Sequence, residues 1–313
     1  MKHTPLFSIV IPAYNYAQTL ARAIESVLTQ SGSDFELLVI NDGSSDNTQD
    51  VLQQLHNAYP SRFCSVNRTN FGAAATRNYG VEHTSGDWLI FLDSDDEFEP
   101  NALEIMREAI KENADARMIV GGHTSVAEDG SCRYRGIDAV HNSKANAEAL
   151  FAGYLLNKSV TPSNGATAMH RDIFKKIRYP ENFRNSEDIP VFACSFANFP
   201  CAFIEKPINR VYKHDDSLRH NIAYAHAVGT SLIDVVFDPA VIPGRLQKYR
   251  KAYFSQRCLS LFRTHYLAGD SASALVYYRL AVKNHWTVIF NASYARKALR
   301  CFFTRKNSGR DAM

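Results

Sequence analysis

The chain has 313 residues, 45% of them hydrophobic and 12% aromatic, which is the composition of a globular protein with one large domain plus an appendage, or two domains. Its formal charge of +3 hides a polarity: residues 245–313 hold 14 Lys and Arg against Asp270 and Asp311, and the remainder holds 21 basic and 30 acidic residues. That asymmetry points to an acidic catalytic part and a basic tail suited to an anionic surface, and it disfavours nucleic acid as the partner of the acidic part. The six cysteines contain no C-x-x-C pair, so neither a zinc site nor a disulfide framework is indicated and a reducing cytoplasm fits best. No apolar run approaches the roughly 20 residues that span a bilayer, and the stretch Leu6–Ile11 before Pro12 is too short for a signal sequence.

In chain order, short apolar runs alternate with amphipathic stretches. Phe7–Ile11, Phe35–Ile40, Phe63–Val66, Trp88–Leu92 and Met118–Gly121 read as strands. Between them Ala17–Thr29, Asn47–Tyr59 (capped by Ser44, Ser45 or Asp46), Ala73–His83 and Asn101–Glu112 read as helices. This βαβ series predicts a mainly parallel, Rossmann-like α/β sheet with right-handed crossovers. Gly121–Asn142 is a loop or hairpin, Ala145–Leu156 a helix, Gly165–His170 a strand leading to a helix near Ile173, and Ile189–Phe199 a helix. Two short strands follow at Cys201–Glu205 and Arg210–Lys213. Past Pro243-Gly244 the pattern is wholly helical, over Arg245–Tyr266, Ala272–His285 and Ser293–Phe303. A catalytic domain over 1–240 and a basic helical region over 241–313 are the expected division.

The strand Trp88–Leu92 runs straight into Asp93-Ser94-Asp95-Asp96. Residues just past the C-terminal end of such a strand sit in the crevice where open α/β sheets bind ligands. Three carboxylates in four residues repel one another, so a cation is expected among them. Oxygen ligands suit Mg²⁺ or Mn²⁺ shared with substrate phosphates. A solvated acidic turn capping the helix that Pro100 opens is the plainer alternative.

The first strand ends in Pro12-Ala13-Tyr14-Asn15, without the glycine fingerprint of a dinucleotide site. The second ends in Asn41-Asp42-Gly43-Ser44-Ser45-Asp46, and Asn70–Asn78 holds Phe71-Gly72, Arg77 and Asn78. With Leu92–Asp96, these runs closely resemble the family 2 glycosyltransferases of the GT-A fold, in order and spacing through residues 7–100. The resemblance implies inverting transfer of a sugar from a nucleotide diphosphate donor, with UDP favoured, to a saccharide or lipid-linked acceptor. It gives Pro12, Tyr14 and Asn15 to the nucleobase pocket, Asp42 to the uracil imide, Arg77 to the nucleotide or its phosphates, Asp93 and Ser94 to the ribose side, and Asp95 to the metal. Asn185-Ser186-Glu187-Asp188 resembles the family's Glu-Asp motif, so Asp188 is implied as general base and Glu187 as an acceptor or sugar contact. His214 is implied as a further metal ligand. Each has a plainer reading: Asp42 as a turn residue, Arg77 as a surface ion pair, Ser186 to Asp188 as a helix cap, and His214 as a solvated loop residue.

A processive synthase is unsupported, since membrane helices and a Gln-x-x-Arg-Trp run are missing. A sugar-1-phosphate nucleotidyltransferase and an inactive nucleotide-binding scaffold are the alternatives. The basic tail either lies on an anionic membrane from the cytoplasmic side or packs as a structural or homo-oligomeric module.

Overall fold

A computed structural model describes residues 5–136, 138, 145–213 and 222–308. Contacts divide the chain into two compact units, residues 1–154 with 158–214, and residues 155–157 with 215–313. The second unit also takes in 215–240, which the sequence reading placed with the sheet. Its short helices Ile222–Val228 and Leu232–Val236 pack on the helix Arg250–Leu267.

In the first unit the strands are β1 (Phe7–Ala13), β2 (Phe35–Asn41), β3 (Cys64–Asn67), β4 (Trp88–Phe91), β5 (Glu97–Phe98), β6 (Met118–Val126), β7 (Cys132–Arg135), β8 (Thr167–His170) and β9 (Cys201–Tyr212). They form one sheet in the order β3-β2-β1-β4-β8-β6-β9-β5, with β7 paired to β6. The run β3-β2-β1-β4 is parallel, its crossovers made by α1 (Ala17–Leu28), α2 (Thr48–Ala58) and α3 (Ala73–His83). Beyond β4 the sheet is mixed: β8 is antiparallel to both neighbours, β6 and β9 are parallel, and β5 and β7 are antiparallel edges. The α/β class expected from the pattern is the class found.

The hydrophobic pattern explains the packing. On α1, Leu20, Ala23, Ile24 and Val27 recur on one helical face and are wholly buried beside Ile9, Ile11 and Val39 of the sheet. Burial of Leu20, Ile24 and Val27 contributes about 1.5–3 kcal/mol each. Helix α3 packs far closer, because Gly80 leaves room that a Cβ would lose to Val10, at 2.6 Å.

Three differences from the sequence reading have local causes. Strand β1 continues through Pro12 because the last bond to the β4 side is Leu92 N–H to Val10 carbonyl, so the missing N–H of Pro12 faces past the end of that ladder. The two strands expected around residues 201–213 are one, since a register shift at Gly121 and Gly122 accommodates Pro207. The same glycines let β6 run on to Val126 and turn back as β7, so Gly121–Asn142 begins as a hairpin.

Candidate active site

The ends of β1 and β2 are tied to each other before they are tied to anything else. Asn15 is in the left-handed region at φ 59°, and its Oδ1 accepts the Ser45 N–H at 2.7 Å while its own N–H donates to Ser44 Oγ at 3.0 Å. Asp46 reaches across both loops: Ala17 N–H donates to it at 3.0 Å and Thr48 N–H at 3.1 Å, so one carboxylate caps α1 and α2 together. Desolvation opposes its charge, but the Thr48 and Ala17 hydrogen bonds win and hold its carboxyl below the usual carboxylate range. The sequence reading gave Asp46 no role beyond helix capping in α2, because contact with α1 is invisible from spacing. Next to this lock Pro12 is partly exposed, and Tyr14 is 46% exposed with Phe71 similarly open.

Asp42 is 3% exposed. Its two oxygens accept the N–H groups of Phe71 at 3.1 Å and Gly72 at 2.7 Å, holding the entrance of α3, where Gly72 takes φ 93°. The expected reach toward a base is therefore shared with a structural task.

The acid cluster is positioned from α1 and β9. Thr19 Oγ1 donates to the Ser94 carbonyl at 2.8 Å, and Arg22 donates to the Asp95 carbonyl at 2.5 Å while lying over the Tyr212 ring. Ser94 and Asp96 are buried, and Asp93 and Asp95 are partly open. Asp96 accepts the Tyr212 N–H at 3.1 Å. Burial first, then the charges of Asp95 and Asp93, push the Asp96 carboxyl well above the usual carboxylate range. Among the described residues no three His, Cys, Asp or Glu side chains converge on one point. The cluster nonetheless fits a hard divalent ion that takes most of its ligands from phosphate and water, since it offers oxygen donors and crowds carboxylates closely enough that Asp95 and Asp93 help raise Asp96. His214 lies outside the described residues.

Arg77 is the centre of the site, and it is buried. Its guanidinium donates to Asp93 at 2.9 Å and to Glu187 at 2.6 Å, beneath the Tyr179 ring. Burial works against its charge, but Asp93 and Glu187 outweigh that and hold it more firmly protonated than usual. The two residues expected at the phosphates and at the acceptor, Arg77 and Glu187, are paired with each other here, and Arg77 joins the β4 end to the helix Asp188–Asn198. Asp188, first residue of that helix, makes no such pair among the contacts of Arg77. Burial first, then Glu187 repulsion, push its carboxyl up to about 6 against the pull of Arg77. Just before it, Ser186 is held at φ 65°, a conformation that non-glycine residues adopt at a cost.

Asn78, next to Arg77, was quoted in the sequence run without a role. It clamps the segment leading to Glu187, since its amide donates to the Tyr179 carbonyl and to Glu181, both at 2.9 Å, and accepts the Tyr179 N–H at 3.0 Å. Tyr179 itself is buried, and its hydroxyl has no hydrogen-bond partner among the described residues. A polar residue following a site arginine in a helix that opens on Ala73-Ala74-Ala75 was the available signal.

The family model described as Glycosyl transferase family 2 matches residues 8–178. An uncharacterized glycosyltransferase of Rickettsia felis is 29% identical over 212 residues, 67% of this chain and 33% of the relative. The hyaluronan synthase of Pasteurella multocida is 35% identical over 131 residues, covering 42% of this chain and 13% of that protein. The putative teichuronic acid biosynthesis glycosyltransferase TuaG of Bacillus subtilis is 34% identical over 127 residues, 41% of this chain and 50% of that protein. The chain thus spans about a third of the length of the first relatives it matches. Among solved structures, S. aureus TarS 1-349 in complex with UDP-GlcNAc superposes with a TM-score of 0.58 at 15% identity, over 90% of this chain and 91% of that one. The mannosyltransferase PcManGT of Pyrobaculum calidifontis, in complex with GDP-Man and Mn²⁺, gives 0.54 at 15% identity, over 96% and 85%.

Proposed function

The chain belongs to glycosyltransferase family 2 and is a glycosyltransferase of GT-A-like fold, and from that premise we propose that it moves one sugar, with inversion, from a UDP-sugar to a hydroxyl of a saccharide or lipid-linked acceptor. The observation that carries the reading is the Asp93–Arg77–Glu187 bridge, which joins the strand-end acid Asp93 to Glu187, the neighbour of Asp188, through one buried guanidinium. Relatives named for hyaluronan and teichuronic acid synthesis support a cell-surface polysaccharide as the product class.

In this reading Tyr14 and Phe71 flank the nucleobase, with Pro12 and Asn15 shaping the loop beneath it. Asp42 keeps that wall in place through Phe71 and Gly72 and accepts the base imide proton with a remaining lone pair. Asp93 and Ser94 meet the ribose side. Mn²⁺ or Mg²⁺, held by Asp95 with His214, supplies charge neutralisation on the leaving diphosphate when bound. Asp188 takes the acceptor hydroxyl proton as that oxygen bonds to the anomeric carbon and the bond from that carbon to the diphosphate oxygen breaks. A carboxylate pushed up to about 6 is a stronger base than an ordinary aspartate yet still ionised at neutral pH. Arg77 and Glu187 act by positioning, and their charges do not touch the reacting atoms.

The test is a panel of UDP- and GDP-sugars with the full chain, with and without Mn²⁺, following nucleotide release and binding by calorimetry. Metal-dependent binding of one donor and its turnover with a saccharide acceptor is the expected result. Failure of every sugar nucleotide to bind would sink the proposal.

A further inference from the structure

We propose that the C-terminal unit seats on an anionic lipid bilayer through the exposed apolar face between Trp286 and Phe303. The face is defined by the helix Ala292–Ser308, whose buried side is already used: Ala298 and Cys301, with Tyr294 beside them, pack against Phe262, Ala274 and Leu275 in a small core of this unit. At 3.6 residues per turn Phe302, Leu299 and Phe303 span an arc that runs from beside Ala298 round to the side opposite the core, and Arg296 and Arg300 continue it as its cationic flank. An ordinary surface helix would be polar there. The turn Trp286–Phe290 precedes this helix and packs on it, and it leaves Trp286, Ile289 and Phe290 exposed beside it. These six large apolar side chains remain between 45% and 72% exposed.

Charge selects the occupant. From Ser271 to Arg310 the sequence contains no Asp or Glu, while Arg279, Lys283, Arg296, Lys297, Arg300, Arg305, Lys306 and Arg310 lie within it. An apolar face rimmed by cations matches the boundary between anionic headgroups and acyl chains, where rings and aliphatic side chains enter and cations stay at the phosphate level. A second copy of the chain would bring the same cations face to face with no acid from this segment to pair them. Single-stranded nucleic acid would use the rings but leave Ile289 and Leu299 unmatched. The contact is peripheral, since among the described residues no helix is long and apolar enough to cross a membrane. It is independent of the donor chemistry, though it would bring the enzyme to a lipid-linked acceptor.

The chain carries its own reporter. Trp88 is buried in β4 and Trp286 is exposed, and these are its two tryptophans. Vesicles of phosphatidylcholine with phosphatidylglycerol should shift Trp286 emission to the blue and float the full chain at low salt. High salt should release it, and pure phosphatidylcholine should not bind it. The double variants Phe302→Ser/Phe303→Ser and Arg296→Glu/Arg300→Glu should each lower the partition coefficient about tenfold or more, with circular dichroism unchanged because the altered side chains lie outside the core. A third variant, Trp286→Phe, should abolish the spectral shift and keep flotation. Absence of flotation, equal binding to neutral vesicles, or unchanged partition in both double variants would overturn the proposal. So would sedimentation showing that the intact chain ignores vesicles and self-associates through this face.

Discussion

The two acid clusters of the catalytic unit are built alike and end differently. At the end of β4 Arg77 neutralises Asp93 while Asp96 is pushed up by burial; at the helix entrance Arg77 neutralises Glu187 while Asp188 is pushed up by burial. What separates them is access and use of the second acid. Asp96 is 4% exposed and its oxygen is occupied by the Tyr212 N–H, whereas Asp188 is partly exposed. A raised pKa therefore accompanies two different settings here, an acid tied into the fold and an acid within reach of solvent, the second being the base of the proposed function.

The comparison breaks most visibly at Asp188. Asp188→Asn should lower kcat by about 10²- to 10⁴-fold, the usual contribution of a positioned general base, and leave donor binding near wild type by calorimetry. Retained turnover would return Asp188 to helix capping. Next in size is Arg77→Met, which leaves Asp93 and Glu187 facing each other without their shared partner. Removing one member of a buried pair costs about 3–5 kcal/mol, and the lower end applies because the Asp93 side chain is 39% exposed and water screens it. Urea unfolding measures this; a loss within a few tenths of a kcal/mol would mean that the bridge is ornamental.

The pH dependence sharpens the same contrast with opposite signs. In wild type, activity should rise with pH through about 6 as Asp188 loses its proton. Glu187→Gln removes the repulsion that helps raise Asp188, so the acidic limb moves down. Arg77→Met removes the cation that holds Asp188 back, so the limb moves up. Profiles of kcat that shift in the same direction for both variants would exclude Asp188 as the titrating group.

Much of this arrangement was legible before any coordinates. The strands β1, β2 and β4 declare themselves by mainly apolar runs, and the polar residues that follow each run are placed at the crevice by the βαβ rule. Partnership was not legible. Nothing in the spacing shows that Arg77 turns inward to Glu187, 110 residues away. Asp46 looked like a local cap, because sequence shows the helix it precedes and conceals α1 packed beside it. The continuity of β9 was missed since Pro207 reads as a break, and only the opposed glycines on β6 make it tolerable.

The smallest effect concerns Asp96. Its carboxyl stands above the ordinary 3.8 in the folded chain, so between the unfolded and folded values the native state binds more protons than the unfolded one. The stability this group contributes is intact below about 3.8 and is lost as pH rises toward and through the folded value. Asp96→Asn cannot ionise, yet its Oδ1 still accepts the Tyr212 N–H, so it keeps the bond and sheds the repulsion from Asp95 and Asp93. Without divalent metal the variant should melt about 2 °C or more above wild type at pH 8, with the difference closing at pH 4, as thermal scans would show. Mn²⁺ should narrow the gap at pH 8 by satisfying the same negative potential in wild type. A variant that melts lower at pH 8 would mean that Asp96 is ionised and paired in the native state, and the two clusters would then differ in charge as well as in access.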